Sequence, residues 1–169
     1  RLLALLDKAE IEDAQRLDVY SGAAGLLLAL CPAYEHTGAE AALVHMRRAA
    51  ERLLRAQTLE YRGLLLWDTL GKKRPISGAG HGMAGIAAAL SWAGKLLGDA
   101  RCMEAAAAAL EAVQAHVSDR RESEAETQYK PEDLPKLDKA LTEQAGNTVL
   151  LVVCADYDAA QKALDALGS

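Results

Sequence analysis

Phenylalanine is absent from this 169-residue chain, and aromatic residues make up only 4% of it. Sheet sandwiches draw on aromatic and β-branched side chains, so this composition points away from one. Cysteine is scarce as well. Cys31, Cys102 and Cys154 are odd in number, far apart and without a CxxC pair. That excludes a disulfide framework and makes a reducing cytoplasm the expected home. Positive charge is in deficit, with a net charge of -5. A nucleic-acid binder would normally be basic, so no nucleic acid is expected among the partners. No apolar run reaches the length of a membrane span, and no signal peptide is visible. The chain begins at Arg1, without Met, in what reads as the middle of a helix, and is expected to be a fragment of a longer one.

What is present is small and apolar. The hydrophobic share is 51% and the charged share 25%, ordinary for a globular domain. Much of the apolar share is alanine, which suits closely packed helices. The length fits one domain able to bury a core.

The chain is organised around Pro75-Ile-Ser-Gly-Ala-Gly-His-Gly-Met-Ala-Gly-Ile-Ala-Ala-Ala-Leu90. Gly78, Gly80, Gly82 and Gly85 let backbone approach either a ligand or another helix. An echo lies upstream: Ser21–Leu30 aligns with His81–Leu90 without a gap, matching Gly22 to Gly82, Ala24 to Ala84, Gly25 to Gly85 and Leu30 to Leu90. This predicts an internal repeat. Each copy precedes an amphipathic helix, Ala39–Gln57 and Arg101–Val117. The unit is therefore a nearly all-apolar helix opened by glycine, then an amphipathic helix that covers it. Such pairs stack into solenoids or close into α/α toroids.

The remaining segments read as follows. Residues 1–16 are expected to be helical. Glu60–Arg74 is a long connection containing Trp67. Ser118–Lys136 reads as a polar, solvated loop. Leu137–Gln144 is a short helix candidate. Asn147–Cys154 is either a buried strand, by its β-branched residues, or the buried helix of a third repeat. Asp156–Leu167 reads as a helix.

Most chemical signals are weak by themselves. Gly80-x-Gly-x-x-Gly85 matches a dinucleotide fingerprint in letters only, because a helix and not a strand follows. Glycine for close helix packing explains it better. His81 alone would be a cap or packing histidine, and Asp18 alone an acid near a helix start. His36, His45 and His116 read as surface residues, and the three cysteines as small core residues. No His or Cys spacing signals zinc, and no nucleophilic serine context is visible.

Together, Leu17-Asp-Val-Tyr-Ser-Gly-Ala-Ala-Gly-Leu26 and Pro75-Ile-Ser-Gly-Ala-Gly-His-Gly-Met-Ala-Gly-Ile86 resemble the lanthionine synthetase C-like cyclases, above all the C-terminal cyclase domain of class II lanthipeptide synthetases. Trp67 and Leu97-Gly-Asp99 also resemble that family. The resemblance covers roughly residues 1–117. It implies a mostly α fold of repeated helical hairpins forming part of an α/α toroid, to which the β-branched residues add a possible short strand near 148–154. It divides the chain into a cyclase-like domain over 1–117, a polar loop over 118–136 and a divergent segment over 137–169.

The resemblance also implies a reaction: a Cys thiol of a lanthipeptide precursor peptide adds to dehydroalanine or dehydrobutyrine and closes a thioether ring. His81 and Asp18 would be catalytic, with His81 handling the proton and Asp18 orienting it. Gly80, Gly82 and Trp67 would contact substrate. In the family zinc holds the thiolate. Its ligands come from a Trp-Cys-x-Gly element and a later Cys-His pair. Near Ala140–Gly146 this chain has no Cys, and the Cys-His pair is absent. No zinc is therefore expected here, and an isolated chain is expected to be impaired or inactive as a cyclase. The rival expectation is a non-catalytic helical-repeat module that binds a peptide or thiol ligand on a Gly-lined concave face.

Overall fold

Two helical hairpins repeat along the first part of the chain. Helix α1 covers Ala23–Thr37 and is followed by α2 over Glu40–Arg55. Adding 60 to each number carries α1 onto α3, Met83–Leu97, and the start of α2 onto the start of α4, Ala100–Thr127. The ends repeat too. α1 and α3 begin after an extended glycine, Gly22 or Gly82, and stop at a left-handed one, Gly38 (φ 64°) or Gly98 (φ 65°). Only glycine takes that conformation without a Cβ penalty, and its N–H closes onto Tyr34 O or Gly94 O. The expected repeat is thus structural, down to its caps.

The computed structural model describes residues 6–7, 11, 15–127, 132, 134–145, 148–154 and 156–167. Most of the helix expected over 1–16 lies outside them. The chain is mostly helical and divides into two units, Arg1–Val113 and Gln114–Ser169.

In the first unit α1 packs against both α2 and α3. The core holds Leu27, Met46, Leu53, Leu66, Trp67, Met83, Ile86 and Leu90, all fully buried. α2 is clearly amphipathic: Ala42, His45, Met46, Ala49, Ala50 and Leu53 are its buried residues. This is the i, i+3, i+4, i+7 stripe of a surface helix. His45 falls on that stripe, so its expected surface position is corrected: it is 1% exposed. Its Nε2 lies 3.3 Å from Asp7 Oδ1, and its Nδ1 3.4 Å from an Arg48 guanidinium nitrogen.

The connection after α2 is not featureless. Strands β1 (Leu59–Tyr61) and β2 (Leu64–Leu66) pair antiparallel, Leu59 opposite Leu66. Arg62 and Gly63 turn the chain with φ of 51° and 80°. Two positive φ values in a two-residue loop match the twist of a hairpin.

Further on, two expectations are corrected. The polar loop expected from Ser118 is helical as far as Thr127, because α4 runs on. Arg120, Arg121, Glu122, Glu124 and Glu126 are good helix formers, and no Pro or Gly intervenes. Polarity there sets exposure, not secondary structure. The helix expected over 137–144 is instead α5, Leu134–Asp138, followed by strand β3, Leu141–Ala145.

Strand β4, Thr148–Val152, pairs antiparallel with β3, so the choice left open for this run resolves as strand over 148–152. A paired neighbour gives Leu141–Ala145 the backbone partners that a short isolated helix would lack. The last helix, α6 (Tyr157–Leu167), begins as expected beside an acid: the Ala159 N–H donates to Asp156 Oδ1 at 3.0 Å.

Candidate functional site

The loops that enter α1 and α3 build one site. In both, the glycines serve the backbone. A Cβ on Gly22 would stand 2.5 Å from the Arg16 carbonyl group, and a Cβ on Gly82 would collide with the Ile76 carbonyl oxygen. Three residues on, Gly25 and Gly85 meet the carbonyl oxygens of Val19 and Ala79 in the same way. The first helical N–H groups reach back to these loops: Ala23 N–H to Arg16 O at 3.2 Å, and Met83 N–H to Ile76 O at 2.7 Å. Each loop therefore folds tightly over the helix start, and only glycine leaves room. The loops are also tied together, since the Val19 N–H donates to Gly80 O at 3.0 Å.

This docking brings Asp18 and His81 together across 63 positions of sequence, with His81 Nδ1 2.5 Å from Asp18 Oδ2. Asp18 is buried. Its other oxygen, Oδ1, accepts from the Ser21 N–H at 2.9 Å and the Ser21 hydroxyl at 3.2 Å. Ser21 was not singled out by sequence reasoning, although it stands where the repeat places His81. Serine and histidine at that one repeat position hold the two oxygens of a single carboxylate. The Arg16 guanidinium donates to the Ser21 hydroxyl at 3.1 Å and orients it.

Burial pushes the Asp18 carboxyl up. The hydrogen bonds from His81 and from the Ser21 N–H and hydroxyl, with the charge of His81, outweigh it and hold the group below its ordinary value. Asp18 is therefore a carboxylate near neutral pH. Facing this carboxylate, Nδ1 carries a proton, so Nε2 is the ring nitrogen able to gain or lose one. The His81 side chain is 48% exposed, and among the described residues nothing binds Nε2. A buried acid against a half-exposed imidazole is an arrangement that general acid–base chemistry can use. Thr69 donates its hydroxyl to His81 O at 2.5 Å and anchors the backbone there.

A family model described as lanthionine synthetase C-like protein matches residues 1–131. The chain belongs to the lanthionine synthetase C-like family. No curated protein and no solved structure gives a match. The family match runs past residue 117, where the resemblance was expected to end, and takes in the whole of α4. Asp18 and His81 both lie within it.

Two expected substrate contacts of this lanthionine synthetase C-like chain are buried. Trp67 is fully buried, and its indole N–H donates to Leu53 O at 2.7 Å, near the end of α2. It closes a helix end and fills the core. Gly82 is buried under the Ile76 carbonyl. Gly85 is buried against backbone in the same way, whereas Gly78 is exposed with open space around it. Gly80 is partly exposed and lies under the ring of Tyr20.

The zinc of this family finds no matching ligand set here. Among the described residues no three of His, Cys, Asp and Glu are grouped to hold a metal. Zinc takes thiolates. Burial, with the Glu35 charge, pushes the Cys31 thiol up to about 12. Burial and the Asp99 charge push Cys102 up to about 11, despite Arg101. Both thiols are buried in the core. Among the described residues no helix is long and apolar enough to cross a membrane.

Proposed function

We propose that this chain carries the proton-transfer site of a lanthionine-forming cyclase domain, acting on a dehydrated lanthipeptide precursor. His81 Nε2 takes the proton from a substrate Cys thiol. The sulfur then bonds to the β-carbon of a dehydroalanine or dehydrobutyrine, and the electron pair of the C=C bond passes into an enolate. Nε2–H returns the proton to the α-carbon. The sum is addition of S–H across the double bond, with His81 regenerated. Asp18 holds the imidazole by Nδ1 and stabilises its charged form between the two transfers.

The observation that carries this reading is the Asp18–His81 contact, with the His81 side chain half-exposed. No step is drawn through zinc, because the described residues do not fit it. Thiol deprotonation then rests on an imidazole alone, so an isolated chain is expected to work slowly. The arc of helical hairpins would belong to the family's α/α toroid. The free, buried Cys31 and Cys102 suit a reducing cytoplasm.

The test incubates the chain with a dehydrated precursor and follows loss of free thiol, as loss of an alkylation mass adduct, over the uncatalysed rate. A rate that falls to background in His81→Ala supports the proposal. An unchanged rate in His81→Ala refutes it. No rate above background in the parent chain favours the non-catalytic binding module.

A further inference from the structure

Tyr20 is 76% exposed, the most exposed of the large apolar side chains among the described residues. Such a ring in water normally has no fixed place. Here it lies against the imidazole of His81, with ring centroids 4.8 Å apart and planes tilted by 36°. The 60-residue repeat makes Tyr20 and Gly80 equivalent positions, and the two are in contact. A Cβ on Gly80 would sit 2.9 Å from Tyr20 Cδ2 and closer still to Cε2. The three nearest atoms to that Cβ all belong to the Tyr20 ring. Gly80 has no positive φ, so its backbone does not demand glycine. What demands it is the space the ring occupies. The hydrogen bond from the Val19 N–H to Gly80 O holds the two segments in register one residue away.

An imidazole held only through Nδ1 can still swing about its side-chain torsions. A flat ring against its face removes that freedom on one side. We infer that Tyr20 is a positioning residue for His81, and that Gly80 is glycine so that the Tyr20 ring can reach it. This rests on His81 being the proton carrier. Tyr20 keeps Nδ1 on Asp18 and Nε2 outward without itself touching the reacting atoms. A thiol must then approach Nε2 from its edge or from the uncovered face.

The experiment reads the tautomers of His81 by NMR of the full chain labelled with ¹⁵N in the imidazole, at a pH where the ring is neutral. The parent chain is expected to show Nδ1–H as the dominant form, and Tyr20→Phe the same, since the ring and not the hydroxyl makes the contact. Tyr20→Ala is expected to raise the minor Nε2–H population roughly two- to tenfold, the range an aromatic pair is worth. Gly80→Ala should do the same by displacing the ring. The double variant should match Tyr20→Ala alone, because the three atoms nearest the added Cβ are then gone. Unchanged populations in Tyr20→Ala overturn the inference, as does a Gly80→Ala effect that persists without Tyr20. The cyclase reading fails separately, through a thiol-loss rate that survives His81→Ala while these tautomer shifts stand.

Discussion

Replacing Asp18 by Asn probes the site most sharply. The side chain keeps its shape but trades one acceptor oxygen for a donor. In the native site both oxygens accept, Oδ1 from the Ser21 N–H and hydroxyl and Oδ2 from His81. An amide cannot accept on both sides. With its oxygen toward Ser21, the NH2 faces His81 Nδ1 and drives the proton to Nε2, removing the lone pair the chemistry needs. With its oxygen toward His81, the NH2 faces the Ser21 N–H and leaves a buried donor unmet. Either arrangement costs about 1–3 kcal/mol of stability. The first also removes a base worth roughly 10²- to 10⁴-fold in rate.

The pH dependence follows from the lowered carboxyl. A depressed folded-state value means that the stabilisation is complete above the ordinary carboxylate value. It is lost as pH falls through the still lower folded one. A protonated Asp18 has one donor and one acceptor, as Asn does, so the two proteins converge in acid. Urea unfolding of both at pH 7 and at about pH 2 measures the gap. It should be full at neutral pH and shrink strongly in acid. An equal gap at both would refute the assignment of Asp18 as the carboxylate that holds His81.

Two further outcomes follow from packing. Gly85→Ala puts a methyl group against the Ala79 carbonyl oxygen and 2.6 Å from Val19 Cγ2. Backbone cannot step aside cheaply, so urea unfolding should report a loss at the upper end of the ~1–3 kcal/mol typical of overpacking. Trp67→Phe removes the donor to Leu53 O and should cost about 1–3 kcal/mol. Its KM in the thiol-loss assay should stay unchanged, whereas a raised KM would restore Trp67 as a substrate contact.

Several features were legible before folding was considered. The gapless match of Ser21–Leu30 to His81–Leu90 is a local pattern, and its glycines are needed by local backbone, so letters alone carry it. The same holds for the stripe of α2, where counting by 3 and 4 would also have found buried His45. The β1–β2 hairpin was missed because Arg62, which has φ of 51°, is not a residue that usually advertises a turn. The continuation of α4 past Ser118 is not legible in its polarity, which fits a solvated helix as well as a loop.

The sequence by itself determined the repeat, the helical class and the deficit of metal-ligand spacing, since each depends on neighbours within a few turns of chain. Only the tertiary structure decided what the repeat is for. It docks two equivalent loops so that Asp18 of one, held by its own Ser21, meets His81 of the other, and Tyr20 meets its own counterpart, Gly80. Those contacts cross about 60 residues and depend on how closely two backbones approach. That distance is set by glycines acting in three dimensions, not by any spacing along the chain.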